Sequence, residues 1–226
     1  MKISASILSI KDNLKENINL LSNLDVDYLH LDIMDGVFVK NKTWTYSKIK
    51  DIIPTNKPLD IHLMVRDVYK YINDFKKLKP EIITFHYEVN LDIFSIIKYL
   101  KNLNIKVGLS IKPDTKIDSI TKYLPFIDLI LVMSVEPGMG GQQFILNSLD
   151  KIDRLVEIRE KYKYNYLIEV DGGINDTNIK LLNKVDISVI GSYITNGDYE
   201  ERIKNIKEKI YGWNIINDRR KNDGSN

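Results

Sequence analysis

The sequence predicts an α/β fold: a single-domain (β/α)8 TIM barrel over residues 1–213, followed by a polar C-terminal tail over residues 214–226. Three observations predict it. Short runs rich in β-branched and apolar residues alternate with runs of helical period along all 226 residues, the pattern of consecutive βα units. Eight strands are counted, with mostly short connections and no second composition, and eight units in this length close one barrel. The first βα turn has no glycine-rich dinucleotide fingerprint, which counts against a doubly wound open sheet, the main rival.

Each element has its own warrant. Residues 3–8 read as a strand with Ser4 and Ser6 on one face, and Asp12 is placed to cap a helix running to Leu24. Residues 26–33 form a strand that stops at Gly36, and a helix over residues 46–53 ends before Pro54. Pro58 opens a strand over 59–64, and Asp67 caps a helix reaching Leu78. Pro80 precedes a strand over 82–86, and Asn90 caps a helix to Leu103. A strand over 105–111 is followed by a short helix between Pro113 and Leu124. Residues 127–133 are apolar apart from Asp128, as expected of a strand buried on both faces. A glycine-rich loop over 137–141 leads to an amphipathic helix through Leu149, Ile152, Leu155, Val156 and Ile158. Strands over 166–170 and 186–190 are separated by a helix over 177–182, and the last helix covers 199–210. Residues 219–226 are polar and expected to fray.

Composition bounds the function. The 33 basic and 31 acidic residues leave a net charge of +2, and the lysines are spread through every segment as solvated helix faces. A nucleic-acid partner is therefore not expected, and the basic group Arg219, Arg220 and Lys221 is flanked by Asp218 and Asp223. No run approaches a membrane span and no secretory leader opens the chain, so the expectation is a cytoplasmic enzyme without a membrane partner. With no cysteine, any bound metal must rely on His, Asp or Glu.

Strand alternation puts His30, Asp32 and Met34 on one face, with Leu29, Leu31 and Ile33 on the other. The third strand repeats the design with Asp60, His62 and Met64 against Ile61, Leu63 and Val65. Such residues are costly to bury unless paired or ligating. Side by side, the two strands offer His30, Asp32 and His62 to one divalent ion; the plainer reading is core histidines hydrogen-bonded to nearby aspartates. Asp171, at the tip of the seventh strand, makes a fourth ligand. All three histidines fall towards strand C-termini, as do Met34, Met64, Met133 and Met139, which suggests an apolar ceiling over a reacting centre. Loops after strands seven and eight of such barrels often bind phosphate through backbone N–H groups. Gly172-Gly173 and Gly191-Ser192 hold those two places, and Gly138-Met139-Gly140-Gly141 is placed to close over the ligand from strand six. A metal site and a phosphate cradle on one rim suggest a small phosphorylated sugar.

Five blocks then carry a resemblance: Ser6-Ile7-Leu8-Ser9, Leu29-His30-Leu31-Asp32-Ile33-Met34-Asp35-Gly36, His62-Leu63-Met64, the run from Val132 to Gln142, and Glu169-Val170-Asp171-Gly172-Gly173. In this order they resemble the ribulose-phosphate 3-epimerase family across most of the chain. The resemblance implies a (β/α)8 barrel interconverting D-ribulose 5-phosphate and D-xylulose 5-phosphate in the pentose phosphate pathway, as a homo-oligomer. It implies one divalent ion per chain held by His30, Asp32, His62 and Asp171. Zn²⁺ is expected, and Mn²⁺, Fe²⁺ or Co²⁺ would be accepted by similar ligands. Asp32 and Asp171 become the acid–base pair, working through an enediolate. Ser6, His62, Gly138, Met139, Gly140, Gly141, Gly172, Gly173, Gly191 and Ser192 become substrate contacts. The chain departs from the family pattern at Met139, where phenylalanine is usual, and at Ala5 and Lys40, where proline is usual. Barrel decarboxylases and synthases with Asp-x-Lys-x-x-Asp on strand three are disfavoured, because Asp60-Ile61-His62-Leu63-Met64-Val65 stands there. An epimerase of a six-carbon ketose phosphate is the nearer alternative, and a non-catalytic sugar-phosphate or metal sensor is a third.

Overall fold

The computed structural model describes residues 1–53 and 56–223, of which 213–223 are described as helix backbone alone. Eight parallel strands close into a barrel in sequence order: β1 Lys2–Ser6, β2 Tyr28–Met34, β3 Leu59–Met64, β4 Ile82–His86, β5 Lys106–Ile111, β6 Leu129–Met133, β7 Leu167–Asp171 and β8 Ile187–Ile190. The predicted (β/α)8 barrel is the observed fold. Closure is direct, with Lys2 to Ala5 of β1 in register with Ile187 to Ile190 of β8.

Alternation along the strands divides the apolar residues into two clusters. Outward-pointing Leu29, Leu31, Ile33, Ile61, Leu63, Ile130, Val132, Ile168 and Val170 pack against the surrounding helices in the large core. Inside the barrel a smaller cluster holds Tyr28, Ile82, Leu129, Leu131, Met133, Val135 and Ile187. Apart from Met34, Met64 and Val189, the rest of the interior is polar: Ser4, Ser6, His30, Asp32, Asp60, His62, Thr84, His86, Ser110 and Glu169 are all buried. A barrel lumen filled this way on one side is an expensive way to build a core. Its purpose lies at the rim.

The helices are α1 Leu14–Asn23, α2 Tyr46–Ile49, α3 Val68–Phe75, α4 Ile93–Asn102, α5 Ser148–Tyr162, α6 Ser192–Thr195 and α7 Tyr199–Asp223. Asp67 caps α3 as expected, accepting from the Lys70 N–H at 3.2 Å. Two other caps are corrected. Asn13, in a left-handed conformation, precedes α1 in place of Asp12, and Asp92 caps α4 in place of Asn90, accepting from the Phe94 N–H. The helix expected over 46–53 is only the short α2; Pro54, which was to end it, lies outside the described residues. After β5 and β7 the chain makes 3-10 turns, at 117–119, 121–126 and 179–182, rather than full α-helices. The last helix runs past the expected end at 210 to Asp223, so its backbone extends into the proposed tail; residues 224–226 of that tail lie outside the described residues. Among the described residues, no helix is long and apolar enough to cross a membrane.

Candidate metal and substrate site

Register brings the polar residues together. β2 and β3 align His30 with Asp60, Asp32 with His62 and Met34 with Met64, while β6 and β7 align Met133 with Asp171. The strand periodicity that defines an inner face therefore stacks two polar layers at the C-terminal end of the barrel.

The upper layer holds the four residues expected to ligate a metal. One donor atom from each of His30, Asp32, His62 and Asp171 lies within 4.8 Å of the others. His62 Nδ1 is 3.3 Å from Asp32 Oδ1 and 3.8 Å from Asp171 Oδ2, and His30 Nε2 is 3.3 Å from the same Asp32 oxygen. His30 Nε2 is buried without a hydrogen-bond partner. Ser6 donates its hydroxyl to Asp32 Oδ2 at 2.8 Å, fixing that carboxylate from β1.

The lower layer orients the upper one. His30 Nδ1 lies 2.6 Å from Asp60 Oδ2, which also accepts from Ser4 at 2.8 Å. A carboxylate takes the Nδ1–H, so Nε2 is the ring atom that His30 turns to the upper layer. Glu169 lies below Asp171 with both carboxylate oxygens unpartnered, and together with His30 and Asp60 it forms a second buried cluster. His62 Nε2 contacts His86 Nε2 at 2.9 Å, and His86 Nδ1 contacts Glu88 at 3.0 Å. Sequence reasoning placed Asp60 on the inner face, His86 towards a strand C-terminus and Glu169 in a block of the family resemblance without giving any of them a role, and it missed Glu88. The signal was present: polar pairs at i and i+2 recur as Ser4/Ser6, His30/Asp32, Asp60/His62 and Glu169/Asp171.

Electrostatics separate these groups. Burial works to lower His30, but the charges of Asp60 and Asp32 outweigh it and hold its pKa well above 6.5. Burial would raise Asp32, yet His30 and His62 keep it below the usual carboxylate range. Burial, reinforced by the Asp32 charge, pushes Asp171 up to about 6. Burial and the Asp60 charge push Glu169 well above its ordinary value. Burial also pulls His86 down to about 4. Two carboxyls in one site, one kept ionised and one able to hold a proton near neutrality, are equipped for acid–base work.

Above the layers lies a cleft lined by Ser6, Asp32, Asp171 and all four methionines expected at the rim, Met34, Met64, Met133 and Met139. Its walls carry Gly138, Gly140, Gly141, Gly172, Gly173, Gly191 and Ser192, so the glycines expected to cradle phosphate share one cavity. His62 does not line it; its ring is fully buried beneath the floor. Gly173, at φ +65°, has no room for a side chain, because a Cβ would lie 2.4 Å from the Phe144 nitrogen. The loop after β7 is thereby pressed against the loop after β6. Ser134 joins the same two loops through hydrogen bonds to the Asp171 and Gly172 carbonyls at 2.9 and 2.7 Å. Across the mouth, Asn41 donates to the Gly138 carbonyl at 2.7 Å.

Fold and rim together define a (β/α)8-barrel enzyme whose reacting groups gather at the C-terminal ends of its strands. The model of the ribulose-phosphate 3 epimerase family matches residues 2–195. The chain is 39% identical over 198 residues to the ribulose-phosphate 3-epimerase of Helicobacter pylori (strain ATCC 700392 / 26695), covering 86% of this chain and 90% of that protein. It is 38% identical over 221 residues to that of Buchnera aphidicola subsp. Baizongia pistaciae, covering 92% and 95%. Among solved structures, 3-hexulose-6-phosphate synthase from Salmonella typhimurium superposes with a TM-score of 0.67 at 17% identity, over 94% of this chain and 100% of that one, a likeness of fold. The chain belongs to the ribulose-phosphate 3-epimerase family and is an isomerase of that kind.

Proposed function

We propose that the chain interconverts D-ribulose 5-phosphate and D-xylulose 5-phosphate by inversion at carbon 3, using a divalent ion held by His30, Asp32, His62 and Asp171. We place it in the cytoplasm, as a homo-oligomer serving the pentose phosphate pathway. The observation that carries this reading is the pairing of Asp32 and Asp171, which reach one buried centre from strands separated by β1 and β8.

The residues fit a cation. Two imidazoles and two carboxylates converge within 4.8 Å, and the buried His30 Nε2 is left without a partner. Two nitrogen and two oxygen donors suit Zn²⁺. When bound, such an ion supplies Lewis-acid stabilisation of the negative charge that develops on the enediolate oxygens. The chain's own residues do the rest. Asp32, fixed by Ser6 and kept ionised, accepts the carbon 3 proton in one direction. Asp171, whose burial favours the protonated carboxyl, delivers a proton from the other side, and the two exchange roles in reverse. Met34, Met64 and Met133 exclude water from the reacting centre. The glycines after β6, β7 and β8 leave backbone N–H groups accessible to the phosphate.

Heavy water tests the assignment. Early in the reaction, product should carry deuterium at carbon 3 while recovered substrate carries little, because the base retains the proton it has just removed. Asp32→Asn and Asp171→Asn should each abolish epimerisation, one of them still allowing exchange without inversion. Near-normal epimerisation by either metal-loaded variant would remove that aspartate from the mechanism.

A further inference from the structure

We infer that His86 and Glu88 are positioning residues that fix the tautomer of His62 through a two-histidine relay, so that His62 meets the ion through Nδ1. The inference rests on the metal site proposed above.

The relay starts at Glu88. Glu88 Oε1 accepts the Lys112 N–H at 2.8 Å and the Thr115 hydroxyl, and Glu88 Oε2 faces His86 Nδ1 at 3.0 Å. The carboxylate acts throughout as an acceptor, so the His86 proton is on Nδ1 and the lone pair on Nε2. That lone pair faces His62 Nε2 at 2.9 Å. Two ring nitrogens at this distance share one proton, and His86 has none to give there. The proton is therefore on His62 Nε2. His62 Nδ1 lies 3.3 Å from Asp32 Oδ1 and 3.8 Å from Asp171 Oδ2, and with a cation between these groups its lone pair would be the donor offered to the ion.

The two ligand histidines are thus set in different ways. His30 presents Nε2 because Asp60 binds its Nδ1 directly, at 2.6 Å. His62 presents Nδ1 because a second imidazole stands between it and the orienting carboxylate. The relay is also well anchored. Lys151, on α5, donates to the carbonyls of Lys112, Pro113 and Thr115 at 2.9, 2.5 and 2.7 Å, holding the loop that grips Glu88. His86 is fully buried, with the Phe38 ring 4.8 Å away between centroids. A histidine serving only as packing would not need this chain of acceptors.

The test compares His86→Leu, which removes the acceptor, with His86→Gln, whose side-chain carbonyl restores one. Zn²⁺ affinity is measured by competition with a chromogenic chelator, and thermal unfolding of the chelated proteins is recorded beside it. His86→Leu should weaken Zn²⁺ binding by about 10- to 100-fold. His86→Gln should return affinity close to the parent, although both variants lose stability. In the Zn²⁺-loaded parent labelled with ¹⁵N-histidine, the His62 proton should reside on Nε2, with nitrogen–nitrogen coupling to His86 Nε2. This measurement needs no variant to fold. A proton on His62 Nδ1, or parental affinity in His86→Leu, overturns the relay. His62→Ala separates the two readings. If it loses Zn²⁺ while His86→Leu does not, only the relay falls; if it too keeps parental affinity, the metal assignment of His62 falls and the relay with it.

Discussion

Asp60→Ala gives a direct test of the buried layer beneath the proposed metal. The Asp60 carboxylate is fully buried and accepts from Ser4 at 2.8 Å and from His30 at 2.6 Å. Hydrogen bonds to a charged group contribute about 1.5–3 kcal/mol each, so losing both costs about 3–6 kcal/mol. Part of this returns, because burial and the Asp60 charge together raise Glu169, and the variant removes that neighbouring anion. A net loss of about 2–4 kcal/mol is expected, or a fall in melting temperature of roughly 5–15 °C for a domain of this size. The assay is urea unfolding of chelated parent and variant, followed by Zn²⁺ titration of each. Affinity should also fall by about 10- to 100-fold, since His30 loses the acceptor that fixes its tautomer. Asp60→Asn, which keeps an oxygen acceptor, should recover part of both. Unfolding within about 0.5 kcal/mol of the parent would refute the paired buried carboxylate. A destabilised variant with parental Zn²⁺ affinity would refute its orienting role while leaving its packing role intact.

Two further outcomes are expected. Zn²⁺ affinity should rise with pH through neutrality, by about tenfold per unit, because His30 is held well above 6.5 by Asp60 and Asp32 and must release a proton to ligate; a flat profile in a chelator-competition series would exclude His30 as a ligand. Gly191→Leu should raise KM for ribulose 5-phosphate by about tenfold with the fold retained, since the new Cβ lies 3.3 Å from the Ser6 Cβ at the cleft wall; an unchanged KM in steady-state assays would place the phosphate elsewhere.

How much of this was legible depends on whether the signal was local. The alternation in Tyr28–Met34 and Leu59–Met64 identified both strands and their inner faces, because polar residues at every second place of an apolar run mark one face of a strand and break any helical period. Asp67 was legible as a cap because no rival cap residue adjoins it. Asn90 and Asp92 compete within three residues, and the winner is the side chain that reaches both the Phe94 N–H at 3.2 Å and the Ser95 hydroxyl at 2.6 Å. After β7 the element is a 3-10 turn over 179–182 where a helix over 177–182 was expected; Asn175 accepts from the Thr177 and Asn178 N–H groups in the manner of an N-cap, a local signal that either kind of turn satisfies. After β5, Pro125 lies inside the 3-10 turn, where the missing N–H favours a short element.

The same distinction explains the site. His30, Asp32, His62 and Asp171 were named because each is chemically conspicuous in its own strand. Asp60 acts on His30 across the β2–β3 pair and His86 on His62 across β3–β4. Glu88 acts through His86 from just beyond β4, and Glu169 meets His30 and Asp60 from β7. Such partners are fixed by register and closure rather than by neighbouring letters. Closing eight strands in order supplies that register, so the orienting layer becomes visible only with the barrel. This also bears on substitution. A change at Asp32 or Asp171 acts on the proposed proton transfers themselves. On the proposed ligand set, a change at Asp60 or His86 would alter which lone pair a histidine presents while leaving all four residues in place, so it should be seen first in metal affinity and only through that in turnover.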